Sequence, residues 1–431
     1  MRVAGFALVA LSTAWAQIST DVRPGREDRS SGTLTSRALT RQLERENTDE
    51  RIKRYEKLVV ADGGREPFKA GLIAAYLQKV RETADFTYLD RASRLIDEIL
   101  ARDGWNFAAL RYRNEVDLQK HEFKIVAARA EMMVKDEPSD PGSWANLGDA
   151  SMELGDYDKA GRAYLKMFAL GPSLGSYNRL AYWRFVTGDG NSAVDLMEKA
   201  IQASEQRPEN VAWCLAELGD MDFKLGRLSE AEKSYRSALD LFPQLHRALG
   251  GLGKLQAAKG EPEAAIRSYR QAQAVVPLVE YAGALEDLYA ASGLPEKAAQ
   301  QRQMLSLIEK LGRVTNEKTN RNLALVLADH DRDLDLALDL MNAELPVRGD
   351  VYTWDALSWV LLKKGRLSEA KAASANAVKL QTPEPLFYYH AREIASASGD
   401  GDAARSFARR LMSLNPSFQG AQTRRPSSLT Q

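Results

Sequence analysis

Residues 215–243 read LAELGDMDFKLGRLSEAEKSYRSALDLFP, and residues 249–277 read LGGLGKLQAAKGEPEAAIRSYRQAQAVVP. Both segments open on Leu-x-x-Leu-Gly. A second Gly, an Ala, a Tyr and a closing Pro then follow at the same offsets. The second copy begins 34 residues after the first. Fixed spacing of this kind indicates a repeat architecture, so the rest of the chain is interpreted in units of this length.

The same skeleton recurs across most of the chain. Gly occupies positions 155, 188, 226, 260, 293, 365 and 399, and an Ala follows each of them five residues later. In the long interval between Gly293 and Gly365, Arg332 and Ala337 are predicted to fill the corresponding positions. The eight Ala residues are separated by 33, 38, 34, 33, 39, 33 and 34 residues, so the repeat length is nearly constant.

Each conserved offset of the unit has a physical reason. Gly226 lies between two amphipathic stretches, where a tight turn needs a residue that adopts positive φ. Ala231 falls early in the second stretch, where a small side chain lets two helices approach closely. Tyr235, four residues later, lies on the same helical face. Pro243 cannot continue a helix, so the unit is predicted to be helix–turn–helix.

The skeleton resembles the tetratricopeptide repeat family, and the segment from Trp144 to Pro172 is a further copy with all the main positions. The resemblance covers residues 139–416, and weaker, degenerate repeats are predicted for residues 46–138. It implies an all-α superhelical solenoid of about ten helix pairs. A single pair cannot bury its apolar faces, so neighbouring pairs must stack. The array also resembles long tetratricopeptide proteins that many bacteria export.

Two insertions interrupt the period. The segment Ala203–Asn210 adds about four residues, and Leu311–Asn320 adds about five, as judged against the ordinary repeat length. In a solenoid such insertions map to loops on one face. Both are predicted to be longer turns, with a bend in the array or a part in the binding surface as the alternatives.

The composition excludes some classes of partner. Lys+Arg and Asp+Glu both total 59, which gives a formal net charge of zero. Binding to nucleic acid requires surplus cations, so no nucleic-acid partner is expected. The 44% hydrophobic content is typical of a folded chain. Cys214 is the only cysteine, so no intramolecular disulfide can form.

The first sixteen residues have the pattern of a signal peptide. Arg2 is followed by the apolar run Val3–Leu11, and Ala14-Trp15-Ala16 matches a cleavage site before Gln17. The alternatives are a buried first helix or an uncleaved anchor, although the apolar run is too short to span a bilayer. We therefore expect a secreted or periplasmic protein without an integral membrane span. Residues 17–45 are predicted to be a flexible linker, and residues 417–431 a flexible tail.

Short motifs with catalytic or adhesive meaning are weak in this sequence. Gly171–Gly175 has the G-x-S-x-G pattern of serine hydrolases, but Ser173 would follow a helix where that chemistry needs a strand. Arg348-Gly349-Asp350 spells an adhesion tripeptide that is expected in an exposed turn. The four histidines are scattered without a second ligand at zinc spacing. A serine hydrolase is thus a disfavoured alternative, and no cofactor, metal or catalytic residue is predicted.

The family resemblance implies that the first helix of each pair lines a concave groove. Transferred by offset, the positions expected to be exposed there are Arg111, Glu115, Asp149, Asn178, Tyr182, Phe185, Asp220, Lys254, Asp355, Trp359, Tyr389 and Glu393. The aromatic members among them are either anchors for a partner or packing residues between repeats. The family's clamp for acidic peptide termini is disfavoured, because Asp149, Tyr182 and Asp220 replace the Asn that it uses.

These patterns together predict a non-catalytic scaffold outside the cytoplasm that binds a protein or peptide. The alternative is an accessory subunit of an envelope, export or polysaccharide-assembly machine. Such a machine could be a membrane-associated complex. The sequence does not name the partner, because groove residues diverge freely without changing the fold.

Overall fold

A computed structural model of the protein describes residues 46–203, 208–314 and 320–418, with the side chains of 311–314 excepted. Within these ranges the chain forms α-helices and no strand. None of the described helices is both long and apolar enough to cross a membrane. The predicted signal peptide, the predicted linker and residues 419–431 of the predicted tail lie outside the described residues.

In the part of the chain that the structure describes, a single helix, α1, precedes ten helix pairs, which we number as repeats 1 to 10 from α2–α3 to α20–α21. The helices are α1 (Thr48–Ala61), α2 (Glu66–Thr83), α3 (Thr87–Leu100), α4 (Phe107–Gln119), α5 (Phe123–Asp136), α6 (Pro141–Glu153), α7 (Tyr157–Leu170), α8 (Leu174–Val186), α9 (Gly190–Gln202), α10 (Pro208–Lys224), α11 (Leu228–Leu241), α12 (His246–Ala258), α13 (Pro262–Val275), α14 (Val279–Ala291), α15 (Pro295–Val314), α16 (Arg321–Asp329), α17 (Leu334–Glu344), α18 (Val351–Lys363), α19 (Leu367–Val378), α20 (Pro385–Ala397) and α21 (Gly401–Leu414). The predicted all-α solenoid of helix pairs is therefore confirmed.

The turn between the two helices of a repeat has the predicted geometry. All seven turn glycines adopt positive φ, between 71° and 97°. In repeats 1 and 2, Ala84 and His121 take this conformation, with φ of 54° and 60°. In repeat 8 the residue is Asp331, with φ of 50°, so the assignment of Arg332 was wrong by one position. Asp333 also has positive φ, because this turn contains one residue more before α17 begins.

Close helix packing explains the small residues of the repeat. Ala231 is completely buried. A Cβ on Gly219 of α10 would lie 2.7 Å from the ring of Tyr235 on α11. A Cβ on Gly148 would likewise lie 2.2 Å from the ring of Tyr164, and a Cβ on Gly253 would lie 2.8 Å from the ring of Tyr269. In repeats 3, 5 and 6 the first helix therefore uses a Gly to receive the aromatic ring of its second helix.

The core runs along the array and is shared by neighbouring repeats. Ala212 of α10, Tyr235 of α11 and Leu252 of α12 belong to one buried cluster, so each pair is completed by the next. At the C-terminal end, Ala404 of α21 is only half-buried, since no further pair follows α21 within the described residues. Stacking of this kind is how a solenoid acquires a continuous core.

The insertions differ from the predicted long turns, because part of each is helical. Helix α10 has 17 residues and begins at Pro208, one turn earlier than most first helices. Helix α15 has 20 residues and continues to Val314. The remaining residues of the insertions, 204–207 and 315–319, lie outside the described part of the chain. Helix elongation satisfies backbone hydrogen bonds that an extended turn would leave to solvent.

The superhelix returns on itself after six repeats. The turn of repeat 3 approaches the segment before repeat 9, and the turn of repeat 4 approaches the segment before repeat 10. The turn of repeat 5 approaches the C-terminal end of repeat 10. A Cβ on Gly155 would lie 2.4 Å from the carbonyl oxygen of Gly349, and one on Gly188 would lie 2.7 Å from that of Leu380. A Cβ on Gly226 would lie 2.7 Å from the carbonyl oxygen of Leu414. Successive superhelical turns are therefore in direct backbone contact.

Candidate binding surface

Most first-helix positions that were expected to be exposed are buried. This expectation was wrong for seven of the twelve residues, namely Glu115, Asp149, Asn178, Tyr182, Phe185, Asp355 and Trp359. Arg111, Asp220, Lys254, Tyr389 and Glu393 are half-buried. A role of these residues in binding stays a prediction, but only the second group offers surface in this conformation.

Asn178 and Phe185 point into the interior of repeat 4. The Asn178 amide is directed at two sulfur atoms, the Sδ of Met197 at 3.5 Å and the Sγ of Cys214 at 3.7 Å. Phe185 is 1% exposed and belongs to the same apolar cluster as Met197. These two residues hold α8 against α9 and α10. Their offset in the repeat is that of a helix–helix interface, not of an open groove.

Asp149 forms a buried ion pair with a residue of the adjacent repeat. Both of its carboxylate oxygens accept hydrogen bonds from the Arg179 guanidinium, each at 2.9 Å. The Tyr164 hydroxyl donates to the same carboxylate at 2.9 Å. Arg111 similarly pairs with Asp140 at 2.7 Å. These charges connect one first helix to the next, so their partners come from the chain itself.

Tyr182 is covered by the next superhelical turn. It is 5% exposed and packs in a cluster with Tyr157 of repeat 3, Val351 of α18 and Phe387 of α20. No pattern within repeat 4 indicates this burial, because the covering residues follow Tyr182 by more than 160 positions. The open groove assumed for this region is filled by the C-terminal repeats.

Asp220, Arg247 and Lys254 form a partly exposed charged surface on α10 and α12, which we call the Asp220 surface. Arg247 Nη2 lies 2.8 Å from Asp220, and the ammonium group of Lys254 lies 3.3 Å from it. Burial by itself would raise the pKa of the Asp220 carboxyl, but Lys254, Arg247 and Lys224 hold it well below its ordinary range. The Lys254 side chain is 41% exposed, so its ammonium group is accessible from solvent.

The C-terminal aromatic residues are mainly packing residues. The Trp359 indole donates to Asp329 at 2.9 Å, and its ring stacks on His390 at 4.2 Å. His390 in turn lies 2.9 Å from Asp355 through Nδ1. Tyr389 is half-buried beside Trp359, and burial together with Glu393 raises its pKa. Of the proposed aromatic anchors, Tyr389 alone keeps appreciable exposure.

The tripeptide Arg348-Gly349-Asp350 is not an exposed turn, so that expectation was wrong. Arg348 is 1% exposed, and its guanidinium Nε lies 2.7 Å from Glu153 of repeat 3. Asp350 accepts the backbone N–H of Thr353 at 2.6 Å and caps α18. The tripeptide is a buried part of the contact between superhelical turns.

Ser173 is a helix cap. It lies between α7 and α8, and its hydroxyl accepts the backbone N–H of Ser176 at 3.3 Å. A nucleophile elbow requires a strand before the serine, whereas a helix precedes Ser173 here. Among the described residues, no three His, Cys, Asp or Glu side chains are arranged to hold a metal ion.

Family models of the tetratricopeptide repeat match residues 141–170, 173–244 and 216–278. These residues are tetratricopeptide repeats. No curated protein matches it. The matched residues lie in repeats 3 to 6, which contain both Tyr182 and the Asp220 surface.

Solved structures with a similar arrangement are distant. The APC/C hetero-tetramer Cut9-Hcn1 matches with a TM-score of 0.43 and 16% identity over 78% of this chain and 55% of that chain. The chain therefore spans about half the length of that protein. MamA matches at 0.33 with 22% identity, over 38% of this chain and 95% of that one. BtubC from P. vanneervenii matches with a TM-score of 0.37 and 19% identity, over 46% of this chain and 91% of that chain.

Proposed function

We propose that this tetratricopeptide-repeat protein is a non-catalytic scaffold that binds a protein or peptide through its first helices, and that it acts outside the cytoplasm. The observation that carries the binding role is the Asp220 surface, where three charged groups on two neighbouring first helices remain partly exposed. Repeat arrays recognise partners with extended surfaces of this kind. A partner segment with both charge signs fits the Asp220 surface, since it could pair with Asp220 and with Lys254.

The binding role is tested by in situ crosslinking in the native cell envelope followed by mass spectrometry. Lys254→Met keeps the side-chain stem over Phe223, whose ring centroid lies 5.1 Å from Nζ, and removes the charge. The matched control is Lys166→Met, on the exposed face of the second helix α7. We expect Lys254→Met to reduce recovery of the crosslinked partner at least fivefold, and Lys166→Met to leave it unchanged.

Equal recovery with both variants would contradict binding through the Asp220 surface. A partner that crosslinks at Tyr389 and not near Lys254 would move the site to the C-terminal repeats. Recovery of a fixed membrane-associated assembly would favour the alternative role as an accessory subunit of an envelope, export or polysaccharide-assembly machine. Labelling of Ser173 by an active-site serine probe would overturn the non-catalytic role.

The proposed location outside the cytoplasm is supported by the sequence of residues 1–16 and is tested separately. We expect the mature protein to begin at Gln17, as determined by intact mass and N-terminal sequencing of the fractionated protein. Replacing both Ala14 and Ala16 with Arg removes the small-residue pattern, so cleavage should stop. A wild-type protein that retains Met1 and stays in the cytoplasmic fraction would contradict this location.

A further inference from the structure

The turn glycines fall into two groups that their sequence does not distinguish. Gly155, Gly188 and Gly226 lie against backbone carbonyl groups of the following superhelical turn. Gly260 occupies the same place in repeat 6 and has almost the same φ as Gly155 (78° and 77°), but no atom of the described residues lies within 4 Å of the position that its Cβ would occupy. Three successive turns of the array therefore have a second task besides turning the chain.

Each of these three turns also carries one hydrogen bond between a side chain and the backbone across the contact. The Tyr157 hydroxyl accepts the backbone N–H of Val351 at 2.9 Å. The Thr382 hydroxyl donates to the carbonyl oxygen of Val186 at 2.5 Å. The amide of Asn415 donates to the carbonyl oxygen of Phe223 at 2.6 Å. The same kind of contact therefore occurs three times, once in each of repeats 3, 4 and 5. We call these three contacts, at Gly155, Gly188 and Gly226, the latch.

Two ion pairs add charge complementarity to the latch. Arg348 pairs with Glu153 at 2.7 Å, and its guanidinium lies 5.0 Å from the centroid of the Phe123 ring. Lys224 pairs with Glu384 at 2.8 Å. The backbone contact sets the distance between the two superhelical turns but does not depend on which side chains are present. The two ion pairs do depend on the side chains, so they fix which position of one turn lies beside which position of the next.

The residues under the latch have the chemistry of a binding surface. Tyr182 lies at the groove position of the repeat and packs against Val351 and Phe387. On the covering side, the Tyr352 ring lies 5.0 Å from Phe387, and its buried hydroxyl has no hydrogen-bond partner among the described residues. Tyrosine-rich surfaces with polar handles are typical of recognition sites. In the closed conformation the C-terminal repeats occupy this surface.

We propose that the latch is an autoinhibitory contact, in which repeats 9 and 10 cover the Tyr182 surface of repeats 3 and 4 and open to admit a partner. The Tyr182 surface comprises Tyr157 and Tyr182 of repeats 3 and 4, and the residues that cover it are Val351, Tyr352 and Phe387 of repeats 9 and 10. This inference goes beyond the proposed binding at the Asp220 surface, because it concerns a second surface, and it rests on the proposed scaffold function only for the partner being a protein or peptide. Opening of the latch is a property of the free protein, so it is tested without a partner.

The test compares Gly155→Ala with Gly260→Ala in the full-length protein. Both variants place Ala at a φ close to 78°, so the backbone strain is matched, but only Gly155→Ala adds a methyl group against the Gly349 carbonyl. The readout is hydrogen exchange of the Val351 amide. This amide is the first of α18, where no intrahelical acceptor exists, and it is bonded to Tyr157. We expect at least tenfold faster exchange in Gly155→Ala, and less than twofold in Gly260→Ala.

A second readout measures access to the Tyr182 surface. In a Cys214→Ala background, the thiol of a Tyr182→Cys variant is labelled with a maleimide, and Gly155→Ala should accelerate the labelling at least fivefold. If Gly155→Ala does not fold, Tyr157→Phe together with Thr382→Val removes two of the three hydrogen bonds and keeps the packing. Unchanged exchange and labelling in these variants, or equal changes in Gly260→Ala, would overturn the latch. Faster exchange with unchanged labelling would show a contact that opens without uncovering Tyr182, and would overturn the autoinhibitory role.

Discussion

At the scale of single residues, the interior of this superhelix holds ionisable groups that a compact core would exclude. Glu115 is 7% exposed, and within the described part of the chain one of its carboxylate oxygens has no hydrogen-bond partner. Burial raises its pKa from the ordinary value of 4.5 to about 7, although Arg81, Arg179 and Arg111 act in the opposite direction. A carboxyl group in this state favours protonation in the folded chain, so its ionisation opposes folding.

Replacing this carboxyl group should therefore change how stability depends on pH. Because the pKa of Glu115 is higher in the folded than in the unfolded chain, its stabilising protonation is complete below pH 4.5 and is lost as the pH rises through 7. We expect Glu115→Gln to be more stable than the wild type at pH 8 by about 2 kcal/mol, and similar to it at pH 5. Urea unfolding at pH 5, 6, 7 and 8 measures this difference.

The control for this prediction is Glu198→Gln, an exposed carboxyl group on the second helix α9. It should leave the pH dependence unchanged. Parallel stability curves for Glu115→Gln and the wild type would mean that Glu115 ionises normally in the folded protein.

At the scale of elements, the pairing of the two helices in repeats 3, 5 and 6 depends on a glycine in the first helix and an aromatic ring in the second. Tyr235 is completely buried, and its hydroxyl donates to Asp220 at 2.7 Å. The ring cannot move aside without losing this bond. Gly219 is therefore required by packing, in spite of the low helix propensity of glycine.

We expect Gly219→Ala to lower the free energy of unfolding by about 1 to 2 kcal/mol, because overpacking against Tyr235 exceeds the gain in helix propensity. Gly283→Ala on α14 is the matched control. There the nearest atom is a methyl group of Val326 at 3.3 Å, which leaves more room for adjustment. Chemical denaturation compares the two variants. A Gly219→Ala protein at least as stable as Gly283→Ala would refute this account of helix pairing.

At the scale of the whole molecule, the contact between superhelical turns changes how stability is distributed. In an open solenoid each repeat contacts only its neighbours, so a local defect weakens with distance along the array. Here repeat 9 lies beside repeat 3, through the Arg348–Glu153 pair and the Tyr157–Val351 hydrogen bond. The two repeats should therefore open together, although they are far apart in sequence.

A defect in repeat 9 tests this coupling. Ala370 of α19 is completely buried, so Ala370→Gly should destabilise repeat 9 through lost packing and helix propensity. Hydrogen exchange is then followed in α6 and α7 of repeat 3, and in α12 and α13 of repeat 6. We expect the larger loss of protection in repeat 3. The reverse order, with repeat 6 more affected, is the behaviour of a linear array without contact between its turns.

The sequence by itself determined the helix pairs, the turn glycines and the position of the small residues. Each depends on contacts within about 34 residues, and a period of that length records them directly. The shift from Arg332 to Asp331 is a local exception, because one additional residue in a turn leaves the Ala spacing almost unchanged. Part of the candidate surface, Asp220 and Lys254, could also be predicted, since offset within the repeat is enough to place a residue on a first helix.

The tertiary structure alone decided which of those first-helix residues are open. Tyr182, Arg348 and Asp350 are buried because a small rotation between repeats accumulates over six of them and brings distant turns into contact. The accumulated rotation is not a property of any single repeat, so no local sequence pattern could indicate the latch. The helices of this protein are a local property of its sequence, and the closure of its superhelix is a property of the whole array.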